Sequence, residues 1–180
     1  MPCLMKKLFI LIALPLFFQT FTVLNSDSDI IKLAHKIQAK YNIPNKKYVT
    51  IIDYSKSIVS NRLYLVDMQI NQIILRSTVA HALYSGLVYP TKFSNDKGSN
   101  KSCLGAFKTM QTYYGKYGYS LQIDGLDNDI NSNALGRNIV FHSNKKMNYK
   151  WTKGCFAIPE EINQKLIDKI KGGTLVYAFR

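Results

Sequence analysis

The chain has 180 residues, of which 47% are hydrophobic and 19% charged, and its formal net charge at pH 7 is +13. These values predict one globular domain with a sizeable core and exclude wholesale disorder; no internal repeat or low-complexity tract is visible. The positive charge suits an anionic partner such as cell-wall polymer, membrane lipid or nucleic acid, although the lysines also fit an ordinary solvated surface. No zinc-finger, helix-turn-helix or other nucleic-acid-binding motif is visible, so nucleic acid is the weakest of these candidates.

Residues 1–25 have the pattern of an export signal. Lys6 and Lys7 form a positive segment ahead of the apolar residues 8–18, which are too few for a typical membrane span. No clear cleavage site follows, and the alternative interpretation is an uncleaved membrane anchor. Cys3 and the two lysines would leave with a cleaved signal, which lowers the net charge to +11.

Residues 26–47 are predicted to form a helix and a linker. Apolar residues recur at helical spacing within residues 27–41, and Asp27 or Ser28 is expected to cap this helix. The sequence Asn-Ile-Pro-Asn at 42–45 ends it. His35 lies on the helix away from any motif, and we interpret it as a surface or packing residue.

From residue 48 onward the pattern is mostly that of β-structure. Runs of β-branched and aromatic residues predict strands at 48–54, 62–67, 73–80, 106–113, 139–141 and 174–179. The segment 90–101 is rich in Pro, Ser, Asn and Gly and is predicted to be a long loop of the kind that often binds ligands. A second helix begins near Pro159 and ends at Gly172. The predicted fold class is therefore mainly β, with two peripheral helices.

The residues best suited to catalysis lie between positions 137 and 159. His142 comes at the expected end of the strand 139–141, and Cys155 follows thirteen residues later, across a lysine-rich loop. A free thiol has a pKa of about 8.5 and needs a nearby base or cation to act as a nucleophile at neutral pH. A strand end and a loop end can meet in space, so His142 is expected to be that base. The alternative is a buried structural cysteine beside a hydrogen-bonded histidine.

At these residues the chain resembles the L,D-transpeptidase (YkuD-like) catalytic domain, in the branch described as the murein L,D-transpeptidase catalytic domain. The family motif is a histidine at a strand end and, after a variable loop, Ser/Thr-x-Gly-Cys; the matches here are His142, Thr152, Gly154 and Cys155. Further ordered matches extend from about residue 48 to the end of the chain. They are Val79, Ala80, His81, Phe93, Ser94, Asn95, Gly98, Ser99, Leu104, Gly105, Tyr114, Gly115, Gly118, Ser120, Leu121, Gly125, Leu126, Asn133, Ala134 and Arg137.

The resemblance implies a fold and a set of catalytic roles. Residues 48–180 would form an L,D-transpeptidase-like β-sandwich of mixed sheets with peripheral helices. Cys155 would be the nucleophile, and His142 would be first base and then acid. The backbone carbonyl of Ser143 would orient the imidazole, and N–H groups around Gly154 and Cys155 would hold the oxyanion.

Three further residues are candidates for substrate binding. His81 either lines the substrate groove or caps its strand structurally. Arg137 either holds a substrate carboxylate through two hydrogen bonds or forms a salt bridge within the fold. Lys153 stands where many relatives in the wider family carry a second histidine, and its charge could lower the pKa of the thiol. The branch that this chain resembles also lacks that histidine.

The resemblance implies an exported, peptidoglycan-modifying cysteine acyltransferase of the periplasm or cell envelope, or one that is secreted. It would attack the L,D bond of a tetrapeptide stem, release the terminal D-alanine and transfer the acyl group to an amine or to water. The alternatives are an L,D-carboxypeptidase of the same fold and a non-catalytic cell-wall-binding protein. A papain-like peptidase is disfavoured because there the cysteine precedes the histidine. The expected partners are peptidoglycan stem peptides, with membrane contact only through an uncleaved signal.

No metal or other cofactor is predicted, because three histidines and two mature cysteines show no ligand spacing. Cys103 stands where the family usually carries serine, and we expect a small, part-buried residue. An exported compartment is usually oxidising, so a bridge between Cys103 and Cys155 is the alternative. The proposed chemistry needs a free thiol at Cys155, and we therefore predict two free thiols.

Overall fold

The structure, a computed structural model, describes residues 26–145 and 150–180. The predicted export signal at residues 1–25 lies outside the described residues. The described part of the chain contains two α-helices, α1 (Asp27–Lys40) and α2 (Glu160–Ile170), and no helix within it is long and apolar enough to cross a bilayer. The strands within the described residues are β1 (Tyr48–Asp53), β2 (Leu63–Asp67), β3 (Gln72–Ser77), β4 (Gly105–Gly115), β5 (Gly118–Gly125), β6 (Val140–Ser143), β7 (Phe156–Ile158) and β8 (Leu175–Phe179).

These strands form one mixed sheet in the order β3-β2-β1-β8-β4-β5-β6-β7. β1 pairs with β8 and β6 with β7 in parallel, whereas the other neighbours are antiparallel. Distant parts of the sheet share one core: Ile52 and Leu63 belong to the same buried cluster as Phe141 and Phe156. The mainly β fold is thus confirmed, and its sandwich arises because a single continuous sheet curls onto itself.

The two helices cover different faces of the sheet. The apolar face of α2 joins the main core through Leu166, Ile167 and Ile170. The buried face of α1 packs with β1 residues such as Val49 in a second cluster. Each helix thus buries one apolar stripe against the sheet.

The cap of α1 differs from the prediction. Ser26, not Asp27 or Ser28, caps the helix, since its hydroxyl accepts from the Asp29 N–H at 3.3 Å. The Asp29 carboxylate accepts the Ser26 N–H in return, at 3.2 Å. In this reciprocal capping box the N–H groups of both Ser26 and Asp29 find an acceptor. Neither Asp27 nor Ser28 forms such a pair at the start of the helix.

Two strand boundaries matter for function. Strand β5 was not predicted, because Gly115, Gly118 and Gly125 suggested breaks; in fact Gly118, with φ of +83°, forms the tight turn that joins β4 to β5. Strand β6 begins at Val140 rather than Ile139, and His142 and Ser143 are its last two residues, at the predicted strand end. His142 is therefore held by the sheet itself.

Candidate active site

The register of β6 and β7 brings His142 and Cys155 to the same face of the sheet. Phe141 pairs with Phe156, and continuing this parallel register one residue back sets Cys155 beside Val140. Phe141 and Phe156 stack in the core with ring centroids 5.0 Å apart, so the alternating side chains of His142 and Cys155 share the opposite face. With ordinary strand spacing, their Cα atoms lie roughly 8 Å apart on a diagonal.

His142 is held as a neutral imidazole, and its Nε2 makes no hydrogen bond within the described residues. It is buried, and its Nδ1 lies 2.8 Å from the carbonyl oxygen of Ser143, the contact that the resemblance implies. A carbonyl can only accept, so Nδ1 carries the proton and Nε2 presents a lone pair. Burial lowers the pKa of His142, and the bond to Ser143 offsets part of this effect. The side chain is thus in the form that a general base requires.

Cys155 is held as a neutral thiol. It is half-buried, and its Sγ donates to the carbonyl oxygen of Asn138 at 3.5 Å. Among the described residues, no hydrogen bond joins it to His142. Burial raises the pKa of the Cys155 thiol, while N–H groups of Val140 and Cys155 and the charge of Arg137 act in the opposite direction. A lowered thiol pKa was predicted, and this arrangement does not show one.

Gly154 shapes the turn that presents the thiol. Its φ is +139°, and a Cβ here would lie 2.5 Å from Cδ1 of Ile139 and 3.3 Å from Nη2 of Arg137. Its N–H donates to the Thr152 hydroxyl at 3.0 Å, and that hydroxyl donates to the carbonyl of Cys155 at 2.9 Å. The Gly154 N–H is therefore engaged within the turn, unlike the predicted oxyanion donor. The N–H of Cys155 interacts with its own sulfur and remains a candidate for that role.

Arg137 ties the long loop to the site. Its guanidinium donates to the carbonyl oxygens of Ser94 at 2.7 Å and Lys101 at 2.6 Å, and to the hydroxyl of Ser99 at 3.3 Å. It forms no ion pair within the described residues, so the predicted salt-bridge alternative is not what holds it. These three contacts use three of its five donors, the guanidinium also interacts with the Cys103 thiol, and its positive charge acts on the Cys155 thiol.

His81 lies in a buried network and not on an open groove. Its Nδ1 accepts from Arg62 at 2.8 Å, and its Nε2–H donates to the carbonyl of Gly86 at 2.8 Å. Burial lowers the pKa of His81 to about 4. The backbone next to it is bound to the turn at Thr152, whose N–H donates to the His81 carbonyl at 2.9 Å. With both ring nitrogens engaged, this arrangement favours the structural alternative.

Lys153 and Cys103 occupy contrasting environments. Lys153 is exposed, and it is Arg137 rather than Lys153 whose charge acts on the Cys155 sulfur. Cys103 is buried, which raises the pKa of its thiol to about 11, with Arg137 and Cys155 nearby. Both cysteines are free thiols in the structure.

Two residues beside the site were missed in the sequence. Arg62 is fully buried without a carboxylate partner among the described residues, and it donates to the carbonyl of Val79 through Nε at 2.9 Å and Nη2 at 2.6 Å. Tyr117 stacks on the His142 ring, with centroids 4.5 Å apart and planes inclined by 19°. Arg62 looked like an ordinary strand-end residue, and Tyr117 is one of several tyrosines in a glycine-punctuated stretch. No local pattern distinguished either of them.

The sequence of the chain matches a known protein family. A family model described as the L,D-transpeptidase catalytic domain matches residues 24–179. No curated protein matches the sequence.

Solved structures show more distant similarity. A mutant L,D-transpeptidase of Enterococcus faecium is 12% identical with a TM-score of 0.48, covering 74% of this chain and 50% of that one. An L,D-transpeptidase of Stackebrandtia nassauensis is 13% identical with a TM-score of 0.46, covering 87% and 68%. A helical cell shape determining protein of Campylobacter jejuni is 10% identical with a TM-score of 0.48, covering 73% and 46%. The present chain spans about half the length of the Enterococcus and Campylobacter proteins.

Proposed function

Because this chain belongs to the L,D-transpeptidase catalytic domain family, we propose that it is an exported cysteine acyltransferase that modifies peptidoglycan. Its substrate is the tetrapeptide stem, and Cys155 attacks the carbonyl of the L,D bond. The terminal D-alanine leaves, and an amine of a neighbouring stem then takes the acyl group. The observation that carries this proposal is the pairing of β6 with β7, which sets the neutral His142 on the same face as Cys155. Within the described residues, Nε2 of His142 makes no hydrogen bond and can serve as the base.

The environments of the two residues favour general-base catalysis over a preformed ion pair. Burial lowers the pKa of His142 and raises the pKa of Cys155, so each group is neutral near pH 7. The thiol must turn from the carbonyl of Asn138 toward Nε2 of His142 before it reacts. As the carbon–sulfur bond forms, the proton passes to Nε2, and His142 then gives it to the departing D-alanine amine.

The second half-reaction uses the same groups in reverse. The acceptor amine loses a proton to Nε2 of His142 as its nitrogen bonds to the thioester carbonyl. The carbon–sulfur bond then breaks, and the proton returns to the sulfur of Cys155. If water reaches the thioester instead, the same steps release a tripeptide and the protein acts as a carboxypeptidase. Access to the thioester therefore decides between the two outcomes.

The charge around the site supports an anionic peptide substrate. Stem peptides carry carboxylates, and the chain without its proposed export signal has a formal charge of +11. Arg137 has donors beyond those that bind the loop, and it lies near Cys155. We assign it a carboxylate of the donor stem, in addition to its structural contacts. We also assign Lys153, which is exposed, a contact with the acceptor strand.

Product analysis tests this proposal. Purified protein is incubated with tetrapeptide muropeptides, and the products are identified by mass spectrometry, with Cys155→Ala as the matched control. We expect cross-linked dimers and free D-alanine from the wild type and neither product from the variant. Tripeptide without dimers would establish the carboxypeptidase instead. Equal products from both proteins would remove Cys155 from the mechanism.

A non-catalytic wall-binding protein is the second candidate. It is favoured by the absence, among the described residues, of a hydrogen bond between His142 and Cys155, and by the raised pKa of the thiol. Such a protein would sediment with insoluble peptidoglycan to the same extent with or without the Cys155 thiol. If the wild type binds peptidoglycan and releases no D-alanine, the non-catalytic wall-binding protein is the better assignment.

A further inference from the structure

The side chain that packs on the imidazole face of His142 comes from a different part of the chain. Tyr117 lies in the turn between β4 and β5, and its ring is nearly parallel to that of His142 at a centroid distance of 4.5 Å. Tyr117 is half-buried, whereas His142 is only 2% exposed. One face of the imidazole is thus covered by a ring in a hairpin turn.

We propose that Tyr117 is a positioning residue for His142, which fixes the plane of the imidazole and keeps water from its face. This inference rests on the proposed function of His142 as the base. A single hydrogen bond from Nδ1 to Ser143 does not by itself fix the plane of the ring. A parallel aromatic ring fixes that plane, because tilting the imidazole would break the face-to-face contact.

The aromatic face is the feature of Tyr117 that matters in this role. Its hydroxyl makes no hydrogen bond within the described residues, so the ring is its contribution. Tyr117 also lines a small cleft of about 180 Å³ together with Ser143 and the α2 residue Asn163. A side chain smaller than tyrosine would therefore admit water from this cleft to the imidazole.

The charged and titratable groups near the imidazole come from several elements. Lys116 lies over the Tyr117 ring, with Nζ 5.5 Å from its centroid. Lys145, at the end of β6, pairs with Glu160 of α2 at 2.7 Å. Cys155 precedes β7 on the same face. Of these groups only Lys116 contacts the Tyr117 ring, and a cation that moved toward the imidazole would lower the pKa of His142. A rise in that pKa would therefore report the loss of the ring.

Ring and non-ring substitutions separate the positioning role from a general structural one. Full-length Tyr117→Phe keeps the ring, and Tyr117→Leu removes it. The matched control is Tyr114→Leu in the same hairpin; Tyr114 is 82% exposed and packs on Tyr119 with centroids 5.3 Å apart. The first readout is the imidazole titration of His142 by NMR, which needs no substrate. The second is turnover of tetrapeptide stems.

In Tyr117→Leu we expect the pKa of His142 to rise toward its ordinary value and kcat to fall by about tenfold, with little change in KM. Tyr117→Phe and Tyr114→Leu should match the wild type in both readouts. A His142 titration that Tyr117→Leu leaves unchanged would overturn the proposal, as would equal losses of kcat in the Phe and Leu variants. If Tyr117→Leu does not fold, Tyr117→Met replaces it under the same criteria.

The two readouts distinguish failure of this inference from failure of the proposed function. A chain that turns over no stem peptide can still show the titration shift, and Tyr117 would then position His142 for another purpose. Turnover by the wild type with no effect of Tyr117→Leu on titration or kcat would reject the positioning role alone.

Discussion

Replacing His81 with glutamine tests whether this buried histidine holds the fold together. Gln offers one acceptor and two donors at positions similar to those of the imidazole, so it can still meet Arg62 and Gly86. It cannot take up a proton, however. The variant therefore removes the pH dependence that the histidine contributes, while it keeps part of the hydrogen bonding.

The magnitude follows from the pKa of His81, which burial lowers to about 4 from an ordinary value of about 6.5. The unfolded chain therefore binds a proton at higher pH than the folded chain does. Stability from this residue is fully present above about pH 6.5 and is lost as the pH falls toward 4. Each unit of pKa shift corresponds to about 1.4 kcal/mol of unfolding free energy. The wild type should therefore lose about 3 kcal/mol of stability through His81 over this pH range.

The assay is urea unfolding followed by the fluorescence of the single tryptophan, Trp151, at several pH values between 7.5 and 4. His81→Gln should have a lower free energy of unfolding than the wild type at pH 7.5. As the pH approaches 4, the difference between the two free energies should change by about 3 kcal/mol in favour of the variant. His35→Gln is the matched control for a histidine-to-glutamine change, because His35 lies on the exposed side of α1, where its Nε2 contacts Oδ1 of Asn71 at 2.6 Å.

Parallel stability curves for the wild type and His81→Gln would refute this reasoning. They would show that the folded chain accepts a proton at His81 as readily as the unfolded chain does. His81 would then be accessible, and its alternative role on the substrate groove would regain support.

Three further predictions concern the turn and the thiols. Gly154→Ala should destabilise the fold by about 2 kcal/mol in thermal unfolding, because its Cβ would overlap Ile139. The control is Gly98→Ala, which has open space around it and should lose only the stability that the strain of its positive φ removes. Cys155→Ser should abolish turnover yet leave the melting temperature almost unchanged; a large drop would mark a structural residue. Non-reducing peptide mapping should find Cys103 and Cys155 as free thiols, and a bridge between them would contradict the structure.

The periodic elements could be predicted from the sequence because their signal is local. The apolar stripe of α2 and the β-branched runs of β1 and β8 predict their helix and strands without reference to the rest of the chain. Strand β5 was missed because its glycines favour turns locally, and only pairing with β4 makes that segment extended. Tertiary pairing overrides propensity at such positions.

The site could be predicted only in part, for the same reason. The order and spacing of His142 and Cys155 were visible, as was the carbonyl of Ser143. The orientation of the Cys155 thiol toward Asn138 depends on packing between strands, which no local pattern encodes. The ring of Tyr117 reaches His142 through a hairpin turn, so their contact depends on a pairing that the sequence did not reveal.

The central claim is that Cys155 forms a thioester with the stem peptide and that His142 takes its proton. Intact-protein mass spectrometry after acid quenching measures this adduct directly in the wild type, Cys155→Ala and His142→Gln. We predict a tetrapeptide-derived acyl adduct, lacking the D-alanine, on the wild type and none on Cys155→Ala. His142→Gln should form it at least about a hundredfold more slowly. An adduct that forms equally fast without His142, or that survives the loss of Cys155, would contradict the account.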